Sequence, residues 1–431
     1  MSDPVVVIGG GLAGLAAAAR LAKAGHQVEL YERSATLGGT WAPYRLAGGV
    51  KVDDAPAIIG FPAPWRDLFR KSGRPLEAEL ARMGYALEPA QPATMIFADH
   101  AELTLPTDRG GQYANLAAAY GSSVAERWRV LLDRLDVVWQ TLRGLGFEAE
   151  LRSRRQLNKT ARRSLFGDRM TLADLATSID HDHLGALIRS IAYRSGSVPE
   201  QTPAFAAVEL SVQRTFGRWQ VLPRDTTSGL DVGRSSVLIE ALAGRLELRK
   251  VRVHLSCLVQ SIHLRNGHVT AVATSDGDRP AAAVIATCDP WQIFNDLLPI
   301  TAARRARRRL RSLRPAAAPT ITHHEAPAPA ALLHETVAFN EAGVPTVSYL
   351  RQVADNGLRT THDFNATLHR ASYGVAWSGF SSWLRRPSVT TDIPGLYTAS
   401  PSSPAGPGAS HVVLSAALAA YGCHEQLKAE A

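Results

Sequence analysis

The clearest pattern of apolar and polar positions lies at the start of the chain. Val5, Val6, Val7 and Ile8 form an unbroken β-branched run ended by glycine, which predicts a short strand buried on both faces. Gly9-Gly10-Gly11-Leu12-Ala13-Gly14 follows. From about Leu12 to Lys23 the chain is rich in alanine and leucine and stops at Ala24-Gly25, which predicts a helix. Gln27 to Glu32 alternates apolar and polar residues and predicts a second strand, with Glu32 at its end. Further on, Trp128-Arg129-Val130-Leu131-Leu132 and Leu135 to Leu145 repeat apolar residues at helical spacing. They predict helices that form core or line an apolar tunnel.

Strand, glycine turn, helix, strand and acid in this order carry chemistry. Gly9, Gly11 and Gly14 match the G-x-G-x-x-G spacing of a dinucleotide-binding βαβ unit. The first glycine permits the tight turn, the second lets backbone approach a pyrophosphate, and the third lets the helix sit close to the sheet. The helix N-terminus supplies unpaired N–H groups and the positive end of its dipole to the phosphates. Glu32 can accept bonds from ribose hydroxyls and would repel a phosphate there, which disfavours NADP.

Composition narrows the class. The chain has 431 residues, 45% hydrophobic and 20% charged, which suits a soluble globular protein of two domains. No apolar run reaches the roughly 18–20 residues of a membrane span; the richest, near Gly14 to Ala24, is broken by Arg20 and Lys23. No secretory leader pattern opens the sequence, and Cys257, Cys288 and Cys423 form no metal-ligand or redox-pair spacing, so a reducing cytoplasm is expected. The net charge is +8. Its dense part is Arg304, Arg305, Arg307, Arg308, Arg309, Arg311 and Arg314, on an expected helix. That cluster reads either as a solvated helix face or as a dock for anionic lipid or an acidic partner, with peripheral membrane contact as the expectation to test. No zinc-finger spacing or aromatic RNA-binding motif accompanies it, so nucleic acid is not an expected partner. His181-Asp182-His183 and His323-His324-Glu325 resemble metal ligands, but neighbours on a helix point to different sides and no completing set is spaced for them, so no metal is expected.

Beyond Glu32 comes Arg33-Ser34-Ala35-Thr36-Leu37-Gly38-Gly39-Thr40, and a second Gly-Gly soon after the acid resembles the flavin amine oxidase superfamily. Gly49-Val50-Lys51-Val52-Asp53-Asp54-Ala55-Pro56, Phe61-Pro62 and Trp65 to Gly73 are similar to the next segments of phytoene desaturases and related carotenoid desaturases and isomerases. Phe97 to Pro106 resembles that family's hairpin. The similarity returns at Phe216 to Pro223, at Ser236 to Leu242 as a helix, and at Val253 to Ile262 before a strand pair turning at Asn266-Gly267. It continues through Ala283 to Pro290, Ile393 to Ala399, and the loop Pro404 to Gly408 that opens a last helix. The resemblance implies an α/β fold: a Rossmann-like, discontinuous FAD-binding domain (1–64, 222–297 and 388–431) with an interleaved α+β substrate domain (65–221 and 298–387). It implies FAD as cofactor, with Gly9, Gly11 and Gly14 at the diphosphate, Glu32 at the ribose, Gly38 and Gly39 along the ribityl and pyrophosphate, and Val259 at the adenine. The region of Ser400, Gly408 and Ala409 would face the pyrophosphate and isoalloxazine, while Leu12, Ala13, Arg33 and Thr40 complete the expected contacts.

This chain departs from that pattern in three places. Ala55 replaces a usual glycine, Arg224 to Gly233 replaces a Gly-Gly with a longer polar loop, and Ser400-Pro401 stands where related sequences carry Gly-Asp or Gly-Ala. Gly38-Gly39-Thr40-Trp41 also occurs in NADPH-using flavin monooxygenases, but these need a second G-x-G-x-x-G in mid-chain and the sequence has none; Trp41 reads as a packing or pocket aromatic. The resemblance therefore implies an FAD-dependent desaturase, dehydrogenase or oxidase taking hydride from a lipophilic small molecule such as a polyene or natural-product intermediate. The alternatives are a flavin-dependent non-redox isomerase and a non-catalytic lipid-binding escort protein of the same fold. No motif marks a catalytic base, and Asp53 reads as serving structure or cofactor.

Overall fold

A computed structural model describes residues 3–46, 49–225, 232–353, 356–369 and 373–430. β1 (Val5–Ile8), α1 (Leu12–Lys23) and β2 (Val28–Tyr31) form where the apolar pattern places them. β1 is the centre of a five-stranded parallel sheet ordered 252–254, β2, β1, 283–286, 396–398. Its alternate residues serve two cores. Val5 and Val7 pack with α1, the helix Val237–Leu248 and the C-terminal helix Ala409–Glu430. Val6 and Ile8 pack with the antiparallel strands Val259–Arg265 and His268–Thr274. A strand buried on both faces must be apolar at every position, and β1 is.

A second body is built on a six-stranded sheet, ordered 317–326, 356–369, 345–353, 333–339, 94–96, 102–104. Its pairs are antiparallel except that 333–339 runs parallel to 94–96. The helix Ser122–Leu142 buries Trp128, Leu131, Leu135, Val138 and Trp139 into the core shared with this sheet, so its apolar stripe is core.

Near two of the expected boundaries the packing is shared between the cores. α2 (Ala63–Ser72) and α3 (Leu76–Arg82) bury Trp65, Leu68, Phe69, Leu76 and Leu80 in the core of the parallel sheet, although the sequence division puts 65–221 with the substrate side. Their apolar stripes face α1 and the helix 237–248, whereas Ala57 and Phe61, just ahead of them, pack in the core of the six-stranded sheet. Leu310, Leu313 and Val375 likewise pack beneath the parallel sheet, beyond the expected end at 297. The polar loop Arg224 to Gly233 has residues 226–231 outside the described residues. Among the described residues no helix is long and apolar enough to cross a membrane.

His362 sits buried on the inner face of the strand Asn356–His369, its Nε2 without a hydrogen-bond partner. Burial, aided by the Arg351 charge, pushes its pKa down to about 3, whereas an unfolded histidine titrates near about 6.5. A depressed histidine contributes stability in full above the unfolded value and loses it as pH falls toward the folded one. Urea unfolding should therefore show stability falling as pH drops from about 6.5 toward 3, and His362→Leu should blunt that loss.

Candidate functional site

The turn after β1 is set by close contacts. The Gly9 N–H donates to the Tyr31 carbonyl at 2.8 Å, and the Thr287 hydroxyl donates to the Ile8 carbonyl at 2.8 Å. A Cβ on Gly14 would lie 1.9 Å from the Gly9 oxygen, so only glycine allows α1 to start this near the strand. Gly11 is the residue before the helix, with extended backbone (φ −75°, ψ −177°), no side-chain cap on α1 and no acid in its first turn. A Cβ on Gly11 would meet nothing within 4 Å. The first-turn N–H groups of a helix have no intrahelical acceptors, and here they open toward that space.

Glu32 does more than end β2. Its backbone is pinned between the His254 carbonyl (2.9 Å) and the Cys257 N–H (2.9 Å). One carboxylate oxygen accepts the Gly10 N–H at 2.6 Å and the other the Ser34 N–H at 2.8 Å. Sequence alone assigns this acid to ribose hydroxyls; the structure shows it also clamping the turn, with acceptor sites left over, since a carboxylate offers about four. The glycine spacing gives Gly10 no role, yet a Cβ there would sit 3.1 Å from Glu32 Cβ and 2.6 Å from a Leu37 methyl. The second glycine pair closes over the first: the Gly38 N–H donates to the Gly10 carbonyl at 2.8 Å, and a Cβ on Gly39 would lie 3.2 Å from Gly11 Cα. Leu12 and Ala13 are buried beneath the turn, whereas Arg33, Gly39 and Thr40 are exposed beside it. Val259 is buried with Ile8, Tyr31 and Cys257, two residues past the segment that bonds Glu32.

The C-terminal helix lies along α1, with Arg20 bonding Tyr421 and His26 bonding His424, so both N-termini point to the same end. Gly408 is exposed and Ala409 half-buried at its start. Ser400 lies behind them: it is buried, its N–H donates to the Ser415 hydroxyl and its own hydroxyl accepts the Ser402 N–H. No sequence motif singles out His411, whose ring folds back until a Cβ on Gly408 would be 2.5 Å from its Nδ1. The ring lies 5.1 Å from Phe147 and 6.1 Å from Phe61, and these two rings with Trp139 and Phe216 form one aromatic wall. Burial holds the His411 imidazole below its usual range. Asp53 is fully buried, accepts the Ser236 N–H at 2.7 Å ahead of the helix 237–248, and is pushed up in pKa by burial.

The histidine pairs differ from expectation in placement. His181 has extended backbone, which turns its ring to the same side as His183, 5.6 Å away. His183 bonds Tyr120 and Asp99. His323 lies on a strand rather than a helix and bonds Asp54, Thr360 and Tyr44. Among the described residues no group of three or more His, Cys, Asp or Glu side chains could hold a metal ion.

The model of the family described as flavin containing amine oxidoreductase matches residues 12–354. The chain belongs to that family. A phytoene dehydrogenase of Streptomyces griseus is 36% identical over 136 residues, 31% of this chain and 26% of the relative. A 4,4'-diapophytoene desaturase (4,4'-diaponeurosporene-forming) of Staphylococcus aureus is 34% identical over 107 residues, 24% of this chain and 20% of the relative. The chain thus matches about a quarter of the first relative's length and a fifth of the second's. Among solved structures, cyclohexylamine oxidase from Brevibacterium oxydans superposes with a TM-score of 0.68 at 13% identity, covering 99% of this chain and 100% of that one. RAB GDI from Plasmodium falciparum gives 0.55 at 10%, covering 97% and 98%, so these likenesses show the fold alone.

The cofactor that goes with this family is FAD, and the residues fit it: an uncapped helix start, open space at Gly11 and a carboxylate beside both. Two valine substitutions separate cradle from scaffold. Gly11→Val is tolerated by its extended backbone and by the surrounding protein, and should keep the melting temperature while removing the flavin absorbance near about 450 nm. Gly14→Val must push α1 off the strand and should lower the melting temperature itself.

Proposed function

We propose that the chain is an FAD-dependent dehydrogenase, desaturase or oxidase that removes hydride from a lipophilic small molecule. The observation that carries this reading is the open, uncapped turn at Gly11, set beside Glu32. In this reading Gly9 shapes the turn, the N–H groups around Gly11, Leu12, Ala13 and Gly14 hold the diphosphate, and Glu32 holds the ribose. Arg33, Gly38, Gly39 and Thr40 flank the chain between diphosphate and flavin ring, Val259 lies on the adenine side, and Gly408 and Ala409 face the ring from the second helix start. Ser400 acts only by holding that loop. When bound, FAD supplies the hydride acceptor. The chain's own part is to place the substrate along Phe61, Trp139, Phe147 and Phe216, exclude water there, and offer the neutral His411 imidazole for the proton leaving the neighbouring carbon. Loss of hydride and proton from adjacent carbons leaves a double bond.

An escort role is not favoured, because such a role gives no reason for an open diphosphate cradle. Purified protein should absorb near about 370 and 450 nm, and anaerobic addition of a substrate should bleach the longer band. Protein without that absorbance, prepared with FAD present, would defeat the reading; a spectrum unmoved by any turnover substrate would favour the isomerase.

We also propose peripheral contact with anionic membrane through Arg304–Arg314. The helix covers only Arg304–Leu310, and Arg304, Arg305, Arg308, Arg309, Arg311 and Arg314 are all exposed. Arg307 is different: it donates to the carbonyls of Phe294, Leu298, Pro299, Ile300 and Ala302, tying down the loop that projects Ile300, 86% exposed. Basic side chains near an anionic surface contribute about 1 kcal/mol each. The protein should sediment with vesicles containing phosphatidylglycerol, not with pure phosphatidylcholine, and Arg308→Glu with Arg309→Glu should abolish this.

A further inference from the structure

The turn that leads into the C-terminal helix is backed by a buried arginine. Arg386 follows the short helix Phe380–Trp383 and is 1% exposed. It donates to the Val375 carbonyl at 2.6 Å, and its guanidinium carbon lies 4.2 Å from the centre of the Trp377 ring. On its other side it reaches the Ser403 carbonyl at 3.5 Å, the same oxygen that accepts the Gly406 N–H at 3.0 Å. The Trp383 indole N–H holds the next residue, donating to the Pro404 carbonyl at 2.9 Å. Arg386 therefore stands directly behind the turn 403–406, just ahead of the helix Ala409–Glu430.

Its charge has no counterpart. The other buried arginines, Arg20, Arg214, Arg234, Arg245 and Arg351, each have a carboxylate oxygen within 3.9 Å. Among the described residues no carboxylate pairs with Arg386, and its Nε has no hydrogen-bond partner. Burial draws its pKa down to about 9, which leaves it a cation at neutral pH. The far side of the turn supplies no negative charge either. No acid occurs between Asp392 and Glu425, and the helix 409–430 has none in its first turn. Two positive features, a guanidinium and a helix N-terminus, thus stand together without neutralisation. Burying an unpaired charge is costly, and the same arrangement lowers the energy of a negative charge that develops beyond the turn.

We propose that Arg386 is a positioning residue for charge: from behind the turn 403–406 it stabilises the negative charge that the flavin ring gains with hydride, and so raises the reduction potential of the cofactor. The inference rests on the FAD-dependent reading above, in which Gly408 and Ala409 face the ring, and it deepens that reading. In the step proposed there, one substrate C–H bond breaks and its electron pair leaves with the hydrogen for the ring. The adjacent C–H bond gives its proton to His411 and its electron pair to the new double bond. The ring is reduced by two electrons and gains one negative charge, and His411 gains one positive charge. A cation held in dry surroundings acts on such a charge without touching it, because little solvent screens the two. A fixed charge near the ring is one way a protein sets a cofactor's electronics.

The test measures the midpoint potential of the purified holoenzyme by dye-coupled reduction, with FAD content and melting temperature recorded for each variant. Arg386→Met should lower the potential by about 30 mV or more, a tenfold shift toward the oxidised ring for a two-electron couple. Arg386→Lys should recover most of that loss. A purely structural arginine would lower the melting temperature of both variants and leave the potential alone, and that result overturns the inference. Sulfite, an anion that adds to the ring and leaves it negatively charged, reads the same property in the unaltered protein. It should bleach the visible flavin band reversibly; a band that excess sulfite leaves intact overturns the inference even where Arg386→Met does not fold. Protein that binds no FAD fails the wider reading and takes the inference with it, whereas bound flavin with an unmoved potential sinks the inference alone.

Discussion

The approach of α1 to β1 is the constraint on which the nucleotide end depends. With Gly14 almost touching the Gly9 carbonyl, the helix begins directly over the sheet and its first N–H groups aim past Gly11. Glu32 then locks the geometry from the neighbouring strand, one oxygen on Gly10 and the other on Ser34. A dipole, a set of free donors and an acceptor-rich carboxylate are thereby fixed within one turn, before any ligand arrives. Little reorganisation is needed on binding, which is how a preformed site avoids an ordering penalty.

The two bodies divide the remaining work by chemistry. Around the parallel sheet several buried polar groups serve backbone, Thr287 on Ile8, Asp53 on Ser236 and Ser410 on the Phe61 carbonyl, while Arg245 pairs with Glu79. On the six-stranded sheet they meet one another, Arg218 on Glu335 and Arg351 on Thr360. Between them stands the aromatic wall, apolar except for His411.

Elements with one strong local cause are legible in the sequence. β1, α1 and β2 have a period and a stop signal of their own, and Asn266-Gly267 turns its hairpin because both residues adopt positive φ. Gly9, Gly11, Gly14 and Glu32 are legible because spacing alone brings them together. The role of Gly10 is not, because it depends on where the Glu32 side chain turns. Nor are His411 or the cross-strand row from Glu335 to His323, whose members meet only through tertiary contact and strand register. The packing of α2 and α3 is not legible for the same reason: their apolar stripes could have been covered by either body.

The alternate burial of β1 has a last consequence. Four residues span the distance from the chain's entry into the sheet to the turn, and each is fixed to a numbered partner on both sides, Val5 to Val28 and Ala283, Ile8 to Tyr31 and Ala286. Because Val5 and Val7 face one core while Val6 and Ile8 face the other, removing a single residue would exchange the two faces. Four β-branched side chains could survive that exchange, but the glycines would then retract by about one strand residue, roughly 3.3 Å. The strand therefore works as a ruler, and evolution can vary its side chains more freely than its length.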